Sequence, residues 1–228
     1  MKRLFMRIIV LIFSAVMLIQ IWIFASLWWW KDHPVESTMF MKIYYLTTSD
    51  AKLYHQWKDS DQISDHFKRA VITAEDGRFM QHNGFDWDGM LQALQKNNKS
   101  GNVVAGGSTI SQQLSKNLFL YNKRSYLRKG QEAIATWMME RMWSKHRILE
   151  VYVNSVELGN GIYGVQAASK HYFGTNAKNL TKEQAIKLAS ILPNPKYYQH
   201  HMSDTKVKAR QKMIQRYISH TRLPKKEQ

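Results

Sequence analysis

Two carboxylates, Glu75 and Asp76, stand side by side just ahead of Gly77, Phe79, His82, Gly84 and Asp86. A paired acid among glycines and a histidine is suited to moving protons, with one carboxylate taking the proton while its neighbours set its charge. The residues before the pair read as a helix. Ser64 can cap it, Phe67, Ala70, Val71 and Ala74 recur at i, i+3, i+4 and i+7, and Gly77 stops it. Glu75 then falls in the last turn, where the negative end of the helix dipole and the adjacent Asp76 both disfavour its ionised form and make it a better general base. The plain alternative is a solvated acidic helix end.

A second carboxylate, Glu132, follows 57 residues later on a helix that opens near Tyr126. Arg128 and Lys129 lie at i−4 and i−3 from it, on the same region of helix surface, where the ordinary reading is a local salt bridge. Between Gly89 and Gln131 there is no Asp or Glu, while Lys96, Lys99, Lys116, Lys123, Arg124, Arg128 and Lys129 all fall there. An anionic ligand is expected. Lys116 is four residues beyond Gln112, on a helix opened by Ser108 and Thr109 whose free N–H groups favour an anion. His82 reads as a structural hydrogen-bonder, and Glu150 as a buried one.

The series Glu75-Asp76-x-x-Phe79-x-x-His82-x-Gly84-x-Asp86 resembles the first motif of the peptidoglycan glycosyltransferases, glycosyltransferase family 51. Gly106 to Leu114 resembles the second motif, Arg128-Lys129-Gly130-Gln131-Glu132 the third, Ile148 through Asn154 to Gly164 the fourth, and Tyr172-Phe173-Gly174 through Pro193 the fifth. Ser111 and Val153 depart from the usual threonine and leucine but keep polarity or size. The resemblance implies an all-α, lysozyme-like fold of two lobes, the smaller lying against a membrane. It also implies that lipid II is polymerised by attack of an acceptor 4-hydroxyl on C1 of the growing chain, with β-1,4 linkage, inversion and loss of undecaprenyl diphosphate. Glu75 is then the base and Glu132 the second active-site carboxylate. Lys116, Arg124, Arg128 and Lys129 hold the pyrophosphate, and Asp76, Ser108, Thr109 and Gln112 complete the substrate-binding set. No cofactor is required by the sequence; with no metal-ligand spacing, a divalent cation, Mg or Mn, would have to bridge pyrophosphate and carboxylate.

Ile8 to Trp30 is apolar except for Ser14, Gln20 and Ser26, long enough to cross a bilayer. Lys2, Arg3 and Arg7 before it place the amino terminus in the cytoplasm and Trp28, Trp29 and Trp30 at the far interface. The sequence thus divides into an anchor (1–30), a connector (31–63) with Met39 to Leu46 as its one strand, and a catalytic domain (64–228) outside the inner membrane. The anchor should supply proximity only, so the rest should fold without it. No penicillin-binding domain is expected to follow the fifth motif. With no cysteine, disulfides are excluded. The formal charge of +16 would usually suggest nucleic acid, but an anchored chain meets lipid pyrophosphate and anionic headgroups instead. Cell-wall or division proteins are further expected partners.

Asp86 should cap a helix with the face Trp87, Met90, Leu91 and Leu94, and Thr109 with Gln112 and Thr181 with Gln184 read as capping boxes. Tyr126 to Trp143, Ser144 to Asn154 and a last amphipathic helix with Val207, Arg210, Met213, Ile214, Tyr217 and Ile218 complete the soluble part. The basic stretch Lys206 to Lys226 reads as a solvated face on anionic headgroups. The strip Asn117 to Tyr121 with Tyr126 fits either core or a surface for the polyprenyl tail. Two other functions remain open: a lysozyme-like hydrolase, disfavoured by the basic stretch, and a non-catalytic scaffold, disfavoured by two intact carboxylates.

Overall fold

A computed structural model describes residues 1–101, 106–123 and 125–226. Among the described residues the fold is all-α apart from one small sheet. Helix α1 (Lys2–Trp30) is 29 residues long and apolar enough to cross a membrane. Most of it is exposed, but its last third is not free of the rest of the chain. Ile23 and Leu27 are fully buried in the main core. The Trp143 indole N–H donates to the Leu27 carbonyl at 2.8 Å, and Arg147 Nη2 to the Trp30 carbonyl at 2.7 Å. The expectation that the anchor supplies proximity only is therefore corrected: cutting at Trp30 removes core side chains and two helix-end acceptors.

Met39 to Leu46 is a helix and not a strand. This α2 (Met39–Thr47) is capped by Thr38, whose hydroxyl accepts from Met41 N, and it buries Met41 and Tyr44 at i and i+3. An apolar run without alternation is compatible with either element, and here the cap decides. Strands occur elsewhere in short pieces. β1 (Tyr54–His55) pairs in parallel with β3 (Ile162–Tyr163), which pairs antiparallel with β2 (Glu157–Gly159), giving the order β1-β3-β2. Strands of two or three residues leave no periodic trace in a sequence.

The core is built from α3 (Asp65–Glu75), α5 (Ile110–Phe119), α6 (Tyr126–Met142), α7 (Lys145–Ser155), α8 (Gly164–Phe173), α9 (Lys182–Ile191) and α11 (Thr205–Tyr217); the short α10 (Pro195–Tyr198) lies against β2. Helix α3 packs on α9 and α11, and α5 packs on α6, α7 and α2. Both capping boxes are present, at Thr109 and at Thr181, and Ser144 caps α7. Phe67, Ala70 and Val71 bury the expected face of α3, as Ile110, Leu114 and Leu118 do for α5. Ser64 sits at the N-cap of α3, but its hydroxyl donates to the Leu180 carbonyl and does not cap.

Helix α4 (Trp87–Ser100) begins as expected, with Asp86 accepting from Gly89 N, and it ends at Gly101 in the left-handed region. Its apolar face is the exception. Trp87, Leu91 and Leu94 are each more than half exposed, and only Ala93 is buried. Periodicity identified the helix but not what faces it. The strip after Asn117 resolves the other way. Leu118, Phe119 and Leu120 are buried, and the Phe119 ring lies 5.5 Å from Trp22 and 5.8 Å from Trp30 of α1. That strip is core beneath the anchor, while Tyr121 and Tyr126 stay exposed.

Candidate active site

Glu75 is the last residue of α3, and its carboxylate is held from two sides by distant parts of the chain. Arg210 on α11 donates through Nη2 to Glu75 Oε1 and, at 2.8 Å, to the Ala74 carbonyl. Gln113 on α5 donates through Nε2 to Glu75 Oε2 at 2.8 Å. Behind Gln113, the hydroxyl of buried Tyr152 on α7 donates to its Oε1 at 2.9 Å. Burial first, and then the charge of Glu75, push that hydroxyl well above the usual tyrosine range, so it remains a donor. The surroundings of Glu75 are therefore not those of a helix end and Asp76 alone. An arginine and an amide were missing from the sequence reading.

Asp76 is turned inward. Its Oδ1 lies 2.9 Å from His82 Nε2, and its Oδ2 accepts from Ile110 N at 3.0 Å. A carboxylate at the first turn of α5 is favoured by the helix dipole, and this one ties the end of α3 to the start of α5. Both Asp76 oxygens are engaged and its side chain is 2% exposed, and the residue lines the same small cleft as Glu75. His82 has the structural role expected of it. Thr109 and Gln112 are likewise engaged within the protein. Thr109 Oγ1 donates to the Gly84 carbonyl at 2.7 Å and accepts from Gln112 N, while Gln112 Oε1 accepts from Thr109 N. Both side chains are buried in the cap. Gly84 permits this join, because it has φ +89° and a Cβ there would lie 2.9 Å from Thr136 Cγ2.

Ser108 is exposed and lines that small cleft together with Glu75, Asp76, Arg78, Asp86, Met90 and Thr109. The cleft thus lies between the end of α3, the first turns of α4 and the start of α5. Lys116 lies one turn beyond Gln113 on α5, half-buried, with its ammonium 5.5 Å from the centre of the Phe40 ring on α2. Arg124 lies outside the described residues.

Glu132 is 3% exposed on α6. Arg128 Nη1 and Lys129 Nζ reach it at 2.8 and 2.5 Å, so the trio expected from spacing forms. Arg128 is turned inward and also donates to the Lys123 carbonyl, whereas Lys129 is about half exposed. No hydrogen bond or ion pair joins Glu75 to Glu132 among the described residues; α5 stands in contact with both arrangements, packing on α6 and sending Gln113 to Glu75. Glu150 is hydrogen-bonded as expected, accepting from Ser60 N at 2.7 Å and pairing with Arg147.

The basic carboxy-terminal stretch has the expected solvated helix face, with one basic residue turned inward. Val207, Ile214 and Ile218 enter the core and Arg210 reaches Glu75, so only the outer face, with Lys206, Lys208, Lys212 and Arg216, is solvated. A signal was there: Arg210 sits among Val207, Met213 and Ile214 on the apolar side of its own helix, where a charge needs a partner. Among the described residues no group of three or more His, Asp or Glu side chains is placed to hold a metal ion.

A helical domain with a carboxylate at a cleft and a cationic cluster on a neighbouring helix has the parts of a glycosyl-transfer site. A family model described as "Transglycosylase" matches residues 43–218. The chain is 57% identical over 224 residues to the biosynthetic peptidoglycan transglycosylase of Acinetobacter baumannii, covering 98% of this chain and 100% of that protein. It is 58% identical over 224 residues to the protein of that name from Acinetobacter baylyi, with the same coverage. The protein of that name from Thiobacillus denitrificans is 49% identical over 216 residues, covering 93% of each chain. The chain belongs to the transglycosylase family and is a glycosyltransferase.

Proposed function

We propose that this enzyme polymerises lipid II into β-1,4-linked peptidoglycan glycan, with Glu75 as the general base. The observation that supports this most is the company of Glu75 at the cleft: a guanidinium and a carboxamide, both donors. Such partners suit a carboxylate that begins the reaction as an ion and takes a proton from the attacking 4-hydroxyl. A glycosidase acid begins neutral and is kept so by apolar surroundings, which Glu75 lacks. The hydrolase reading is disfavoured for that reason.

The leaving group is undecaprenyl diphosphate, whose charge must be offset as the bond to C1 breaks. Lys116, Lys129 and Arg124 are the cations proposed for it. Arg128, turned onto Glu132, holds the cluster together more than it meets the ligand. Attack opposite an α-linked pyrophosphate inverts C1, and a pyrophosphate leaves without a protonating acid. Ser108, exposed at the start of α5, adds a neutral hydrogen bond. Helix α1 anchors the enzyme in the inner membrane with its amino terminus in the cytoplasm. The apolar outer face of α4 and the exposed Leu127, Ile134 and Trp137 of α6 then meet lipid.

The test is incubation of detergent-solubilised full-length protein with lipid II, followed by separation of products. Glycan carrying one lipid pyrophosphate at its reducing end is expected, and purified sacculi should remain uncut. Release of muropeptides from sacculi, absent in a Glu75→Gln control, would sink the synthetic reading.

A further inference from the structure

Arg210 grips Glu75 with one arm only. Its Nη2 serves Glu75 Oε1 and the Ala74 carbonyl, while its Nε–H is buried without a hydrogen-bond partner. A guanidinium beside a carboxylate ordinarily makes two parallel bonds, one to each oxygen. Here the second oxygen is already taken by Gln113 Nε2 at 2.8 Å. Gln113 is in turn held the right way round by Tyr152, whose hydroxyl donates to Gln113 Oε1 at 2.9 Å. With the amide turned over, its oxygen would face the carboxylate and its NH₂ the hydroxyl, so the Tyr152 donor and the Glu75 acceptor select one orientation between them.

A buried donor left unpaired in a well-packed site calls for a physical reason. We propose that Tyr152 and Gln113 act as positioning residues which keep Glu75 from closing onto Arg210. The competition for Oε2 leaves the carboxylate in a monodentate grip, turned between two elements, with lone pairs open toward the cleft. If Gln113 lets go, Glu75 rotates into a bidentate pair with Arg210 that satisfies the Nε–H and uses the lone pairs an attacking hydroxyl needs. The unsatisfied Nε–H is thus the cost of an accessible base. Arg210 keeps a charge partner on Glu75, and the Tyr152–Gln113 arm limits how far that partner can take hold. Tyr152 touches no substrate in this scheme; it acts through Gln113, and Gln113 through Glu75. The inference rests on Glu75 being the base, as proposed above.

The experiment is a suppression test on the full-length enzyme, with initial rates on lipid II. Gln113→Met cannot donate to Oε2, and Tyr152→Phe cannot hold the amide. Each should lower kcat by up to about 10²-fold with KM near that of the parent, since misplacement of a base by about an ångström costs that much. Arg210→Lys keeps a positive charge but has no fork with which to close on the carboxylate. Added to either variant, it should restore most of the lost kcat, a rescue that a merely structural role for Tyr152 would not give. Double variants whose losses equal the product of the single losses overturn the proposal, as does a loss confined to KM. If the parent makes no glycan from lipid II, the functional reading fails separately. The competition is then read from melting temperatures: shifts for Gln113→Met and Arg210→Lys that do not add support it, and additive shifts overturn it.

Discussion

The two carboxylates of this enzyme are held in opposite ways. Glu132 takes its partners from its own helix, three and four residues back. Glu75 takes its partners from 38 and 135 residues away, on α5 and α11. A helix that forms at all brings Arg128, Lys129 and Glu132 together, because i, i+3 and i, i+4 neighbours share a face. Nothing brings Gln113 and Arg210 to Glu75 except the packing of α3 against α11 and of α5 against α7. The cationic cluster is a local property of one helix, and the setting of Glu75 is a property of the whole fold. Damage to the core should therefore reach Glu75 first, and the cationic cluster should outlast it.

The largest effect expected from testing that contrast is on chemistry. Glu75→Gln keeps the shape and the hydrogen bond from Arg210 but cannot take a proton, and it should lower the polymerisation rate by about 10²–10⁴-fold. Binding of a pyrophosphate-bearing lipid should stay close to the parent, because the cations of α5 and α6 are untouched. A Gln variant that polymerises within a few-fold of the parent removes Glu75 from the role of base.

Next in size is the effect of shortening α1. Its one polar tie to α6 runs between Gln20 and Gln131, each amide donating to the other, at 2.8 and 3.2 Å. Gln131 is the neighbour of Glu132, so α1 supports the helix of the local cluster and not that of the base. Deleting residues 1–30 removes Ile23 and Leu27 from the core, at about 1.5–3 kcal/mol each, together with the acceptors of Trp143 and Arg147. Deleting residues 1–19 spares all of these. The longer deletion should lower the melting temperature markedly and weaken anionic-lipid binding, and the shorter one should do neither. Equal melting of the two truncated proteins would show that the end of α1 contributes nothing to the domain.

Legibility of the sequence follows the same division. Apart from α2, the capped helices read from the sequence, the two capping boxes and the Glu132 trio rest on contacts within a few residues and are where pattern and spacing put them. The grip on Glu75 depends on contacts that no short window contains. Gln113 stands inside a recognised motif with no role legible from its neighbours, Tyr152 carries no local signal, and Arg210 falls among the apolar residues of the last helix with no partner that spacing could name. Asp76 and Thr109 line the cleft and also join ends of elements that only the fold places together, through Ile110 N and the Gly84 carbonyl, whereas Gln112 serves the start of its own helix. Residues 39–46 failed because an apolar run carries no period, and the face of α4 because periodicity does not say whether a helix meets protein or lipid.

Within the local cluster the contrast can be sharpened further. Glu132→Gln leaves inward-facing Arg128 without its anion, and breaking a buried pair in this way costs up to about 3–5 kcal/mol. That loss should appear as a lower melting temperature with Glu75 chemistry altered only through stability. The smallest effect belongs to Lys129→Ala. Lys129 is about half exposed where Arg128 is 10% exposed, although its contact to Glu132 is the shorter of the two. Water and salt screen the exposed ammonium, and pairs of that kind contribute roughly 0–1 kcal/mol. Glu132 also keeps Arg128. Melting of Lys129→Ala should therefore stay near that of the parent, while affinity for a pyrophosphate lipid falls and loses part of its salt dependence, because the exposed ammonium is the member of the trio free to meet a ligand. A large drop in melting with unchanged affinity would reverse the two assignments, making Lys129 the structural partner and Arg128 the ligand-facing one.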